Sequence, residues 1–299
     1  MKKAQAAQFN WIFIMVAGAI ILTFFIIFSI KFIDLQNKKT EFHIARNFDI
    51  NIESLKTSTE EMYCDTEISD NCVSLGFQTN VNLECNNNQL NIILNNNIIH
   101  GLKDQTLFSP KEFKTKNMNF WIKKLKYPYY ITNLIYLQPQ NHKIYIKGDD
   151  VDIPLIFNVE KLTTINNIEK NSKVSFINII PTQEEINYLK TNKIPYNIIT
   201  NNEVQFEDEE IEINEELIMA AIFSDNKEIF KCNLKQIEKQ HYKITQLYYN
   251  KANILKSEDC NYNIIQNTLT QFTEPKEEIK ELLIKQNQEL LSQNCPVLF

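Results

Sequence analysis

The residues of this chain that could form covalent bonds with one another are its six cysteines: Cys64, Cys72, Cys85, Cys232, Cys260 and Cys295. No two have the C-x-x-C spacing of redox motifs or zinc ribbons, so we interpret them as structural disulfides, with buried free thiols as the alternative. Cys64 could pair with Cys72 across a loop, and Cys232 with Cys295 across a helical hairpin. A straight helix from Cys232 past Ile254 would place Cys260 roughly 35 Å away. Only a shorter or bent helix would allow Cys232 to pair with Cys260.

The residues suited to acid–base or metal chemistry form no recognised motif. The four histidines are far apart, and His241 lies on the apolar face of a predicted helix, where we expect a core histidine. Asp149, Asp150 and Asp152 could bind Ca²⁺, but they lack the Gly and terminal Glu of an EF-hand loop, so we interpret them as a solvated turn. We therefore predict no catalytic residue, no metal ligand and no cofactor.

Glycine scarcity and acidity exclude two further classes of site. The glycines are only four (Gly18, Gly76, Gly101 and Gly148), so no phosphate-binding glycine loop is present. The net charge of −6 and pI near 5.4 argue against nucleic acid as a partner. The basic and aromatic segment 123–130 is interpreted as a surface strand or a membrane-facing patch.

A membrane anchor is the clearest feature of the chain. The twenty residues from Trp11 to Ile30 carry no charge, which matches the length of a membrane-spanning helix. The rival interpretation is a cleaved signal peptide, whose apolar core is usually shorter. We predict a retained single-pass anchor that includes Trp11, Gly18 and Ile30, with the lipid bilayer as partner. The small residues around Gly18 could also permit self-association, although an ordinary small patch is the alternative.

The orientation of the anchor rests on several weaker signals. Positive charge is similar on both flanks, but a short amino-terminal tail with Lys2 and Lys3 is typical of a cytoplasmic amino terminus. The cysteines are compatible with an oxidising exterior. The absence of any Asn-x-Ser/Thr sequence favours the cytoplasm instead. We predict a cell-membrane location with residues 40–299 outside the cytoplasm.

The elements that must position these residues indicate an α+β (mixed α/β) fold. We predict a tail and anchor (1–33), a helical stalk (34–61), a β-rich region (62–158) and an α/β region that ends in a helical hairpin (159–299). The stalk is indicated by apolar residues at helical spacing between Ile44 and Leu55.

Within the body, local patterns predict individual elements. An alternating run before Asn86–Asn88 and an apolar run after it predict a β-hairpin. Thr182 and Glu185 form a capping box between two apolar runs, which predicts one βαβ unit over 173–199. The segments 205–213 and 217–223 are strand candidates, and 230–251 has helical periodicity.

Two resemblances to known families are carried by short segments. The stretch Lys2 to Phe13, the segments Phe108–Glu112 and Phe120-Trp121, and the pairs Phe223-Ser224 and Cys232-Asn233 resemble a family of uncharacterised archaeal single-span membrane proteins. Lys2-Lys3-Ala4-Gln5 before an apolar helix is similar to the signal of archaeal type IV prepilins. That resemblance implies cleavage before Gln5, but Phe9 would stand where mature pilins carry an acidic residue.

Three functional hypotheses follow from these features. The first is a non-enzymatic cell-envelope or membrane-complex assembly protein that binds other membrane or envelope proteins, with a pilin-like subunit as its special case. The second is a membrane-tethered enzyme or small-ligand-binding domain, with its site at the strand ends near 180–182 or 199–201. The third is an adaptor facing the cytoplasm.

Overall fold

The computed structural model describes residues 14–33, 73–95, 97–102, 105–165, 168–207, 209–257, 260–272 and 277–299, with isolated positions between 11 and 46. Its contacts divide the chain into two units, Met1–Asn47 and Phe48–Phe299. The predicted α+β fold class is confirmed. Residues 1–10, Cys64, Cys72 and most of the predicted stalk (34–61) lie outside the described residues. The predicted division of the body at residue 158 stays a prediction.

The first unit contains helix α1 (Ile14–Ile33). An 18-residue stretch of this 20-residue helix has a mean hydropathy of 2.4, and none of the helix's residues is buried within the protein. At 1.5 Å per residue such a helix is about 30 Å long, the thickness of a bilayer's hydrocarbon core. Trp11 is also helical, and both Trp11 and Ile30 are exposed. A helix of this length and composition could span a membrane, and a signal sequence passes the same test.

The second unit begins with a mixed sheet of six strands: β1 (Val73–Asn86), β2 (Gln89–Leu94), β3 (Asn97–Leu102), β4 (Thr106–Phe108), β5 (Glu112–Lys126) and β6 (Tyr130–Pro139). Their order is β3-β2-β1-β5-β6-β4, and only the β4–β6 pair is parallel. The predicted hairpin is β1–β2. Its turn residues Asn87 and Asn88 have φ angles of 53° and 58°, the left-handed conformation that asparagine tolerates and a two-residue hairpin requires.

The next six strands form the other sheet: β7 (Lys143–Gly148), β8 (Val159–Lys161), β9 (Ser172–Ile177), β10 (Tyr196–Ile199), β11 (Glu203–Phe206) and β12 (Glu209–Glu212). Their order is β12-β11-β10-β9-β7-β8, in which β8, β7, β9 and β10 are parallel. Helix α2 (Gln183–Asn192) connects β9 to β10, so the predicted βαβ unit is confirmed. Both hydrogen bonds of the Thr182–Glu185 capping box are present.

The remaining chain is helical: a 3₁₀ turn (Glu215–Leu217), α3 (Ile218–Phe223), α4 (Lys227–Leu255), α5 (Asn263–Gln271) and α6 (Glu277–Ser292). Helix α5 contacts both α4 and α6. The side chain of Asn226 accepts hydrogen bonds from the first amides of α4 and so fixes where that helix begins. Helix α4 contacts β4 and β6 at one side of the first sheet and also β1 and β2.

Two strand predictions were wrong. The segment 217–223 is helical, because a short apolar run fits a buried strand and a buried helix equally well, and nearly all of its side chains are buried. The segment 205–213 is not one strand but the end of β11 and all of β12. Glu207, with a φ angle of 38°, reverses the chain between these two strands.

The predicted pairing of Cys232 with Cys295 was also wrong. Cys232 is bonded to Cys85 and Cys295 to Cys260, with Cα atoms 6.0 Å and 5.7 Å apart. Helix α4 runs as far as Leu255, so it carries the chain away from Cys232 before Cys260 is reached. The helical hairpin of α5 and α6 is closed by the Cys260–Cys295 bond instead, while Cys232 lies opposite Cys85 near the end of β1.

The core contains a cluster of aromatic side chains between the first sheet and the helices. Tyr136 stacks on Trp121 with ring centroids 5.0 Å apart, and Phe223 of α3 meets Tyr136 edge-on. Phe157 meets the same Phe223 at 4.5 Å. Rings packed at these distances add to the stability gained from burying their apolar area.

Candidate functional site

The carboxyl edge of the parallel strands is where the sequence predicted a ligand site. Asp149 follows β7, Asn178 follows β9 and Asn201 follows β10, and all three side chains are exposed. The Asn178 side-chain amide donates to Asp149 at 2.9 Å and to Asn201 at 3.2 Å. These polar groups hydrogen-bond to one another across the strand ends. The backbones of β7 and β9 approach closely here, since a Cβ on Gly148 would lie 2.0 Å from the carbonyl oxygen of Ile177.

Other residues that the sequence analysis singled out lie at separate places in the described body. Asp150 forms an ion pair with Lys161 at 2.5 Å. Tyr127 and Tyr129, in the segment interpreted as a surface strand, are instead buried. His241 is fully buried beside Phe272, as predicted for a core histidine. Among the described residues, no group of three His, Cys, Asp or Glu side chains could hold a metal ion.

A groove of about 730 Å³ lies elsewhere, between the β1–β2 hairpin turn and helix α4. Seven of its eight lining residues are polar (Asn87, Asn88, Gln89, Lys235, Gln236, Glu238 and Lys239), and the eighth is Leu102. The hairpin contributes side-chain amides and α4 contributes cations. The Gln89 side chain lies over Gly101, where a Cβ would come within 2.3 Å of the Gln89 amide nitrogen.

The cations of this groove belong to a regular row on α4. Lysine occurs at every fourth position from 227 to 243: Lys227, Lys231, Lys235, Lys239 and Lys243. Residues four apart are neighbours on a helix surface, with a rise of about 6 Å between them. Both Lys227 and Lys231 form ion pairs with Glu209 of β12. The next two lysines of the row line the groove.

A disulfide joins the two walls of the groove. Cys85 lies on β1 two residues before the turn residue Asn87, and Cys232 lies one helical turn before Gln236. A second connection lies beside it, because Asn233 of α4 hydrogen-bonds to both backbone groups of Leu107 in β4. The separation of the hairpin turn from α4 is therefore set by a covalent bond, while the buried hydrogen-bonded pair holds α4 to β4 at the edge of the same sheet.

A buried ionisable pair lies deeper in the body, between the sheets and the α3–α4 junction. The Lys173 ammonium donates to the carbonyls of Ala221 (2.6 Å), Ile222 (2.9 Å) and Ser224. Burial lowers the pKa of Lys173 to about 7, and the negative charge of Asp225 opposes this shift. Burial raises the pKa of Asp225, whose carboxylate accepts a hydrogen bond from the backbone amide of Lys111 at 2.7 Å.

Lys173 lies away from solvent, with 1% of its surface exposed, whereas Asp225 is half-buried. The Asn197 side-chain amide donates to the same Ala221 carbonyl at 2.7 Å, so β9 and β10 both hold the carboxyl end of α3. The arrangement connects both sheets to the helical region. It can position these elements but cannot reach an external substrate.

Comparison of the chain with family models, with curated proteins and with solved structures finds no match. The two family resemblances of the short segments stay predictions. The assignment of function therefore rests on α1, the disulfides and the geometry of the body.

The lysine row could have been found in the sequence, because its spacing of four is visible without a structure. The groove itself could not. Its second wall is the hairpin turn at Asn87 and Asn88, which lies about 150 residues earlier in the chain and is brought to α4 only by folding and by the Cys85–Cys232 bond.

Proposed function

We propose that this chain is a single-pass membrane-anchored protein with an extracytoplasmic, disulfide-bonded body that acts as a non-enzymatic assembly component of the cell envelope. The observation that carries the proposal is α1. Its apolar side chains are covered by no described part of the protein, whereas the core helix of a soluble protein would be buried. A bilayer would remove that apolar surface from water, which supports an anchor.

The disulfides support placement of the body outside the cytoplasm. Cys85–Cys232 and Cys260–Cys295 both tie separate elements of the body together. Such bonds persist in oxidising compartments and are rare where cellular thiols are kept reduced. The orientation agrees with a short lysine-containing tail left in the cytoplasm.

The surface of the body supports a protein-binding role over a small-molecule site. Small-molecule sites are concave and mostly apolar, with a few convergent polar groups. The groove beside α4 is open and lined by polar side chains, and the polar groups at the strand ends are hydrogen-bonded to one another. Polar surfaces of this kind suit contact with another macromolecule.

Alkaline extraction of membranes, followed by mass determination of the intact chain, tests the anchor. We expect the full chain to stay in the membrane pellet with residues 1–33 attached. Phe24→Arg, which places a charge near the middle of α1, should reduce retention, and Phe24→Leu should not. A shortened soluble protein lacking α1 would show that the helix is a signal sequence and would contradict the proposal.

The same mass measurement tests the pilin-like version. Cleavage before Gln5 would give a mature chain that begins at Gln5 and retains α1. An uncleaved amino terminus would rule out that version while leaving the anchored assembly protein intact.

A further inference from the structure

We propose that the groove between the β1–β2 hairpin turn and α4 binds an extended, acidic segment of a partner protein, and that Lys235 and Lys239 bind the carboxylates of this segment. This inference rests on the proposed assembly role and supplies its docking site.

The protein itself contains lysine–carboxylate contacts of the kind that the groove would make with its partner. Lys227 and Lys231, the first two members of the α4 lysine row, hold Glu209, which projects from the extended edge strand β12. Lys235 and Lys239 continue the row with the same spacing, and both side chains are exposed. Two lysines of the row therefore already bind a carboxylate that is carried by an extended strand.

The spacing of the lysines selects an extended ligand. Lys235 and Lys239 are separated by a rise of about 6 Å along α4. Alternate residues of a β-strand lie about 6.6 Å apart and point to the same side. A segment with acidic residues at every second position can thus place one carboxylate on each lysine.

The opposite wall is suited to a peptide backbone. Asn87, Asn88 and Gln89 carry side-chain amides, which can both donate to a peptide carbonyl and accept from a peptide N–H. The lining residues include no aromatic ring of the kind on which sugars or bases stack. A protein segment therefore fits this lining better than a glycan or a nucleic acid. One carboxylate, Glu238, also lines the groove, so the local excess is a single positive charge.

The Cys85–Cys232 bond makes the groove a preformed site. It joins the strand that leads into the hairpin turn to the helix that carries the lysines. A site whose walls are fixed before binding loses less conformational entropy when the ligand binds. Opening this bond should weaken binding even where the lysines are retained.

Fluorescence anisotropy with the full-length protein in nanodiscs of phosphatidylcholine tests the inference. The probe is a short fluorescein-labelled peptide of alternating threonine and glutamate, and the same peptide with glutamine replacing glutamate is its neutral counterpart. We expect saturable, salt-sensitive binding of the acidic peptide only. Lys235→Gln/Lys239→Gln should weaken it about tenfold or more. The charge-matched control Lys170→Gln/Lys190→Gln, at exposed positions in the other half of the body, should change it by less than about twofold.

Three results would overturn the inference. They are the absence of saturable binding, equal weakening by both double variants, and preferential binding of dextran sulfate, which would indicate a general polyanion site. Cys85→Ser/Cys232→Ser should also weaken binding, and unchanged affinity would remove the preformed-site argument. Because binding is measured on purified protein, failure here leaves the membrane topology untouched, and an inverted topology in cells would leave a positive binding result standing.

Discussion

The side-chain amide of Asn233 closes the free edge of β4 by bonding both backbone polar groups of Leu107, 126 residues earlier in the chain. Its oxygen accepts from the Leu107 amide at 3.1 Å, and its nitrogen donates to the Leu107 carbonyl at 2.7 Å. Asn233 thereby replaces a neighbouring strand at that position. An unpaired strand edge is a site for unwanted pairing, so this contact also protects the sheet.

Replacing Asn233 with leucine should destabilise the protein strongly. Two buried backbone groups would lose their partners, at about 1–3 kcal/mol each, so we expect the free energy of unfolding to fall by about 2–6 kcal/mol. Asn250→Leu, an exposed position on the same helix, should change it by about 0.5 kcal/mol or less. Chemical denaturation of the full chain in detergent measures both, and equal effects would contradict the edge-closing role of Asn233.

The buried pair of Lys173 and Asp225 should behave as one unit. Lys173→Met leaves the half-buried Asp225 without its countercharge and removes the donor to the α3 carbonyls, which should cost about 1–3 kcal/mol of stability. In the double variant Lys173→Met/Asp225→Asn the remaining side chain is neutral and can still accept from the Lys111 amide. The double variant should therefore be at least about 1 kcal/mol more stable than the sum of the single changes predicts. Strict additivity in a double-mutant cycle would show that the two residues are not coupled.

His142 should make the stability of the fold decrease at acidic pH. Burial, assisted by the positive charge of Lys173, lowers the pKa of His142 to about 4, from an ordinary value near 6.5. Between these two values the unfolded chain binds more protons than the folded chain, so stability is lost as the pH falls from about 6.5 to about 4. The loss from this residue should be about 3 kcal/mol at most.

His142→Gln should flatten that part of the stability profile. Denaturation midpoints measured at intervals from pH 7 to pH 4 would show a smaller acid loss in the variant than in the wild type. Identical slopes over this range would mean that His142 is not held neutral by its surroundings.

The two disulfides within the described part of the chain should contribute unequally to stability. Their sequence separations are 147 residues for Cys85–Cys232 and 35 residues for Cys260–Cys295. Chain-entropy estimates give about 5 and about 4 kcal/mol for loops of these sizes. We therefore expect Cys85→Ser/Cys232→Ser to lower the denaturation midpoint more than Cys260→Ser/Cys295→Ser. The reverse order would show that local strain or residual structure, and not loop length, governs their effect.

Much of the secondary structure could be predicted because its signals are local. The capping box at Thr182, the asparagine turn at Asn87 and the periodicity of α4 each act within a few residues of the chain. The strand prediction for segment 217–223 was wrong because the deciding signal is not local. Its apolar run does not show whether it packs as a strand or as a helix.

The candidate site depended on long-range contacts that no local signal contains. The partner of Cys232 is Cys85, so spacing alone could not select it over Cys295. The burial of Lys173 among the carbonyls of α3 likewise depends on where that helix packs, and the sequence shows only a lysine inside an apolar strand.

The most direct test of the anchored, extracytoplasmic arrangement is labelling of intact cells with a membrane-impermeant amine-reactive biotin, followed by peptide mapping. The chain supplies its own reference, since Lys2 and Lys3 precede α1 while the exposed Lys170 and Lys190 follow it. We predict that Lys170 and Lys190 are labelled in intact cells and that Lys2 and Lys3 are labelled only after the membrane is permeabilised. Labelling of Lys170 and Lys190 only after permeabilisation would place the body in the cytoplasm and contradict the proposed function.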